Sequence, residues 1–194
     1  MLDFAVEVQR AADNEAIPVP FDRSYWVVPG KLLAGAYPGD LDPDMAEMKV
    51  RAIVEAGIRC FIDLTSPGDR NMFGHPLSHY QDLPGIISGS EFKIIYRRMP
   101  VTDVDVPSQA GMVEILDVID AAVLSDIPVY VHCLGGIGRT GTVVGCWLVR
   151  HGIAEGQEAI DLIRKLRRND ARASLSSPET ARQRRFILEW KSGE

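Results

Sequence analysis

The chain has 194 residues, of which 46% are hydrophobic and 25% charged, and its formal net charge is −6. These values fit one globular domain with a sizeable core and exclude a disordered or low-complexity chain. The acidic balance also argues against nucleic acid as a main partner, since binding a phosphate backbone needs basic surface.

Residues 1–24 are weakly patterned, pass through Ile17-Pro18-Val19-Pro20, and read as a loosely attached N-terminal arm. A single domain is expected over 25–194. Tyr25 to Val28, then Pro29-Gly30, then Lys31 to Gly35 predict two strands around a turn. Asp42 to Ala56 predicts a helix with Asp42 as its cap, and Cys60 to Leu64 a short strand. Residues 65–90 contain three Pro and four Gly with little periodicity, so they read as a long loop. A strand is expected over Phe92 to Met99. The stripe Met112, Ile115, Leu116, Ile119, Ala122 and Val123 then predicts an amphipathic helix.

Pro128 to Val131 is a short apolar run and reads as a buried central strand. It enters a glycine-rich loop and then Thr140 to Arg150, apolar nearly all round, which predicts a helix through the core. Two further helices are expected near 155–168 and 178–191. Strands alternating with helices predict an α/β fold, a mainly parallel central sheet flanked by helices.

No basic segment followed by an apolar run opens the chain, and the longest apolar stretch, Val143 to Val149, is far too short to span a bilayer. A cytoplasmic protein without a membrane partner is expected. Cys60, Cys133 and Cys146 form neither a CxxC pair nor an even-numbered framework, which also suits a reducing compartment. Residues 164–194 carry nine basic against four acidic side chains. This predicts a solvated basic helical face, with partner docking on it as the alternative.

The segment His132-Cys133-Leu134-Gly135-Gly136-Ile137-Gly138-Arg139-Thr140-Gly141 carries the chemistry. A strand feeding a glycine-rich loop and a helix N-terminus builds an anion cradle from converging N–H groups. Residues 136–141 also match GxGxxG. A dinucleotide site would need a second strand ending in an acid about 20 residues on, and Asp161 lies there in a helical pattern. No Lys follows the glycines as a nucleoside-triphosphate loop requires. Cys133 and Arg139 explain the loop better. A free thiol titrates near ~8.5, and bringing one to ~7 takes about 2 kcal/mol. A helix terminus gives typically ~0.3–1 kcal/mol, so aligned amides and a nearby guanidinium must supply the rest. The planar fork of Arg139 can also hold two phosphoryl oxygens through a transition state.

This segment resembles the His-Cys-x5-Arg-Ser/Thr signature of the protein tyrosine and dual-specificity phosphatases. The resemblance implies Cys133 as nucleophile and residues 134–139 (Leu134, Gly135, Gly136, Ile137, Gly138, Arg139) as the phosphate cradle. Thr140 would assist departure of the thiolate, and His132 would fix the loop by hydrogen bonds. Met99-Pro100-Val101-Thr102-Asp103-Val104-Asp105-Val106-Pro107 resembles the family's general-acid loop, with Asp103 as the acid and Asp105 as the alternative. Ser176 to Phe186 resembles the segment whose glutamine positions the hydrolytic water, here Gln183. Lys31 to Pro38 looks like the opening hairpin of compact single-domain relatives.

The implied reaction is phosphate-monoester hydrolysis through a phosphocysteine, with no metal or organic cofactor. A phosphorylated protein or peptide is the expected substrate, because residues 134–137 carry no Lys, unlike the basic loops of relatives acting on inositol lipids. A phosphate-binding pseudophosphatase should lack the nucleophile, the arginine or the acid, whereas all three candidates are here. A sulfurtransferase would have little use for Arg139 and Asp103. Cys60, Cys146 and Asp63 read as structural, and Arg70 and Tyr80 as residues of a pocket rim.

Overall fold

The computed structural model describes residues 3–13, 17–89 and 91–194. Its centre is a five-stranded sheet: β1 Ser24–Val28, β2 Leu32–Gly35, β3 Cys60–Asp63, β4 Ile95–Arg98 and β5 Val129–His132. The spatial order is β1-β2-β5-β3-β4, antiparallel only between β1 and β2. Helices cover both faces. Strand alternation therefore sorts apolar side chains into two cores: Val129 and Val131 of β5 face one, and Tyr130 faces the other. With neither face in water, the strand reads as an unbroken apolar run, as its sequence predicts.

The helices are α1 Phe4–Asp13, α2 Pro43–Glu55, α3 Leu83–Ser88, α4 Gln109–Leu124, α5 Gly138–Arg150, α6 Gly156–Leu166 and α7 Ala181–Glu189. The larger core gathers side chains from α1, α4, α5, α6 and α7; the smaller one lies under α2 and α3. Asp42 caps α2, accepting from Asp44 N at 3.0 Å. All six residues of the α4 stripe are buried. In α5 every residue from Gly138 to Val149 is buried. The glycines at 138, 141 and 145 lie on one side of α5 and admit α7 and its lead-in, a Cβ on Gly145 coming within 2.3 Å of Ile187.

Three expectations need correction. The arm over residues 1–24 is not loose where the structure describes it. Helix α1 inserts Val8, Ala11 and Ala12 into the larger core, and Phe4 packs edge-on to Trp147 with centroids 5.4 Å apart. Trp26 Nε1 also donates to Pro18 O at 3.0 Å. Residues 1, 2 and 14–16 of the arm, and 90 at the end of the 65–90 loop, lie outside the described residues. That loop contains α3 and a bridge between Arg70 and Pro76. The fourth strand is shorter than 92–99, because residues 92–94 have no partner in the ladder and pairing with β3 starts at Ile95. Among the described residues no helix is long and apolar enough to cross a membrane.

Candidate active site

Strand β5 lies between β2 and β3, and its last residue, His132, is level with Gly35 and Asp63. Cys133 is thus the first residue beyond the ends of three parallel strands, where open α/β sheets place their ligands. Three carbonyls of the following loop are bonded from outside. Leu134 O accepts from Tyr37 N at 3.1 Å, Gly135 O from Arg23 Nη2 at 2.6 Å, and Ile137 O from Ser177 Oγ at 2.8 Å. The loop N–H groups from Leu134 to Arg139 have no hydrogen-bond partner among the described residues. A loop whose carbonyls are tied outward and whose amides are left over is a nest for an anion.

Gly136 is fixed by its surroundings. Its φ is +67°, and a Cβ would stand 2.5 Å from Gly35 C and 2.6 Å from Ala36 N. Both the left-handed conformation and the approach to β2 demand glycine. A Cβ on Gly138 would come within 2.9 Å of the Gln183 amide and 3.1 Å of the Glu179 carboxylate, so the start of α7 leans directly on the cradle.

Arg139 is buried, and its two edges differ. Nη1 donates to Asp69 Oδ2 at 2.6 Å and to Val101 O at 3.0 Å, with Leu64 O at 3.4 Å. Nε and Nη2 are buried without a hydrogen-bond partner among the described residues. The Asp103 carboxylate lies 2.8 Å from Nη2, a charge contact rather than an aligned hydrogen bond. Burial alone would lower the guanidinium pKa; the charges of Cys133, Asp69 and Asp103 outweigh it and raise the pKa further.

His132 is fully buried. Tyr80 meets its Nε2, Cys133 O lies 3.4 Å from Nδ1, and Asp63 is 3.9 Å away. Burial pushes its pKa below the ordinary value despite the attraction of Asp63, so the ring is neutral near pH 7. Asp63 accepts from Thr65, Tyr96 and Arg98, and so serves as an internal hub. The Thr140 hydroxyl donates to Gly35 O at 3.3 Å.

The two acid candidates diverge. Asp103 meets Arg139, whereas Asp105 pairs with Arg182 at 2.8 Å and accepts from Val106 N. Between them Val104 has φ +55°, a conformation β-branched residues rarely adopt, and its side chain is exposed. Gln183 is buried. It forms a capping box with Thr180, and its Nε2 donates to Asp105 O at 3.1 Å, tying the acid loop to α7.

Sequence reasoning missed Asp69, a single acid in an irregular loop, and Arg23, which braces Gly135. It placed Tyr80 on a rim, where the structure buries it against His132. Cys60 and Cys146 are buried, and desolvation raises both thiols, Cys60 to about 11. In the basic C-terminal region Arg167 is buried, while Arg182 and Arg184 are engaged within the chain.

A five-stranded sheet with a Cys-x5-Arg loop at the end of its central strand defines the dual-specificity and tyrosine phosphatase class. The chain belongs to the family described as polymorphic toxin system, DSP-PTPase phosphatase, whose model matches residues 43–153. It is similar to the bovine (Bos taurus) protein tyrosine phosphatase domain-containing protein 1, at 31% identity over 116 residues. That match covers 58% of this chain but only 14% of the bovine protein. Its fold is similar to that of kinase associated phosphatase solved with the catalytic-site cysteine replaced by serine (TM-score 0.66, 23% identity, 81% of this chain and 84% of that one). It is also similar to PTPMT1 solved in complex with PI(5)P (TM-score 0.62, 19% identity, 83% and 90%).

Proposed function

We propose that the chain hydrolyses phosphate monoesters through a phosphocysteine on Cys133, acting on phosphotyrosine or on mixed phosphotyrosine and phosphoserine/threonine in proteins. The observation that carries this reading is the buried Nε–Nη2 edge of Arg139, which makes no hydrogen bond among the described residues and meets only the exposed Asp103 carboxylate, in the field of Cys133. Desolvated N–H donors without partners are costly in a core. They repay that cost when two phosphoryl oxygens accept from them in a bidentate pair.

In the first step the Cys133 thiolate attacks phosphorus. The S–P bond forms as the O–P bond breaks, and the leaving oxygen takes a proton from Asp103. Loop amides and Arg139 hold the three equatorial oxygens. A phosphoryl group on Nη2 would displace Asp103 from its 2.8 Å contact, and the released carboxyl group, having taken a proton from water, would pass that proton to the leaving oxygen. In the second step water attacks phosphorus and gives a proton to Asp103, and the S–P electron pair returns to sulfur. Thr140 would leave Gly35 O to donate to that sulfur. Gln183 would orient the water by releasing Asp105 O, while Thr180 N still holds its Oε1 at 3.0 Å.

The test is Cys133→Ser together with rapid-quench trapping. The parent enzyme should yield a phosphocysteine. The serine variant should lose turnover yet still bind vanadate, because an alcohol there stays protonated. Substantial turnover by the variant would refute the covalent route.

A further inference from the structure

A groove of about 270 Å³ opens beside the cradle, between the 36–41 and 71–78 segments, and reaches Leu134, the residue after Cys133. Its volume lies below the ~300–1,000 Å³ usual for whole drug-sized ligands, so it suits one side chain rather than a complete molecule. Tyr37 and Leu77 line it, and its lip is apolar and exposed: Leu41 at 55%, Met72 at 82% and Phe73 at 70%. Three large apolar side chains held in water at one mouth, next to a reactive loop, mark a contact surface rather than scattered exposure.

The charged residues of the groove decide what enters it. Lys49 is paired with Asp40 at 2.6 Å, and Arg23 is committed to Gly135 O and to Asp170 at 3.5 Å. Asp22 is the remaining charged residue of the lining. The two cations are thus already engaged, and nothing there favours a second phosphate or an anionic lipid surface. A neutral apolar group meets no such obstacle.

We propose that this groove is a specificity subsite for a large apolar side chain, aromatic or long aliphatic, within two residues of the phosphorylated residue of a peptide substrate. The range follows from contact with Leu134: an extended peptide advances ~3.3 Å per residue, so only near neighbours of a phosphoresidue at Cys133 fall beside it. Seating such a side chain removes its apolar surface, and that of Phe73 and Met72, from water. The gain expected is on the order of tenfold to a hundredfold in kcat/KM.

This inference rests on the phosphatase reading, and the experiment separates the two. Para-nitrophenyl phosphate, too small to span cradle and groove, tests the reading alone; no hydrolysis of it overturns that reading. Given hydrolysis, phosphotyrosine peptides are compared with Leu, Phe, Trp, Ala or Glu at each of the two positions on either side. A preference of tenfold or more for the large apolar residues at one position, lost with Phe73→Asp and with Met72→Asp, is the expected result. Equal kcat/KM across the peptides overturns the subsite, as does a preference that both aspartate variants retain. Faster turnover of phosphoinositide in anionic vesicles than of every peptide also overturns it, assigning the apolar lip to a membrane instead.

Discussion

Replacing Asp69 by Asn tests how Arg139 is aimed. The Asp69 carboxylate is 7% exposed and the Arg139 side chain 1%, so water screens their 2.6 Å contact little. Two unit charges ~4 Å apart interact by ~4 kcal/mol at an effective dielectric of ~20. Asparagine keeps an oxygen that can accept from Nη1, and Val101 O at 3.0 Å stays in place, which recovers part of that energy. Breaking a buried pair costs ~3–5 kcal/mol when the remaining charge has no compensation. Here compensation is partial, so ~1.5–3 kcal/mol is expected. Urea unfolding should show a lower midpoint with an unchanged slope. Because the same contact orients the fork, kcat/KM on a small aryl phosphate should fall about 10–150-fold. An Asp69→Asn protein within ~0.5 kcal/mol of the parent and within twofold in kcat/KM would refute the argument. A variant faster than the parent would show that the carboxylate competes with phosphate instead of positioning the arginine.

Asp103→Asn should lower kcat by ~10²–10⁴ on substrates with poor leaving groups and much less on an activated aryl phosphate, whereas Asp105→Asn should stay near the parent on both; the opposite pattern would move the acid two residues along. Val8→Ala should destabilise the fold by about 1–2 kcal/mol in urea titration, since Val8 is fully buried in the larger core, and no change would mean that α1 does not dock. Stability should also depend on pH. Burial lowers the His132 pKa below its ordinary 6.5. Burial would raise Asp63, but attraction to His132 and hydrogen bonds from Thr65 and Tyr96 outweigh it and lower Asp63 below 3.8. In both cases the unfolded chain binds the proton more tightly, so stability rises with pH. The urea midpoint should hold above about pH 6.5, fall as His132 resists protonation, and fall again below about pH 4. A midpoint unchanged from pH 7 to pH 5 would contradict a buried neutral His132.

What the sequence made legible follows from how local each signal is. The cradle is one contiguous run of residues, so its strand, loop and helix could be read together, as could the α4 stripe, where six apolar positions repeat at helical spacing. Asp69 could not be read, because its partner is 70 residues away and nothing beside it in the loop marks an acid aimed inward. Helix α1 did carry a pattern: Phe4, Val8, Ala11 and Ala12 are helically spaced, with Asp3 Oδ1 accepting from Ala5 N at 3.1 Å. Two of its four core-facing positions are alanine, and the stripe is too short to stand out. The capping box of α7 was present as Thr180-x-x-Gln183, a local motif that accounts for the burial of Gln183 independently of any role with water.

Val104 has a bearing on how this protein would change under selection. A valine at φ +55° costs ~1–2 kcal/mol relative to a residue at ease there, and the valine side chain recovers little of it because it is exposed. A search for thermostable variants would therefore favour Val104→Gly or Val104→Asn. The same bend sends Asp103 toward Arg139 and Asp105 toward Arg182, and a freely turning glycine no longer enforces that parting. Robustness and proton delivery would pull against each other at one backbone position, and lineages selected for heat resistance should have to restrain the acid loop from elsewhere, most directly through Thr180 and Gln183.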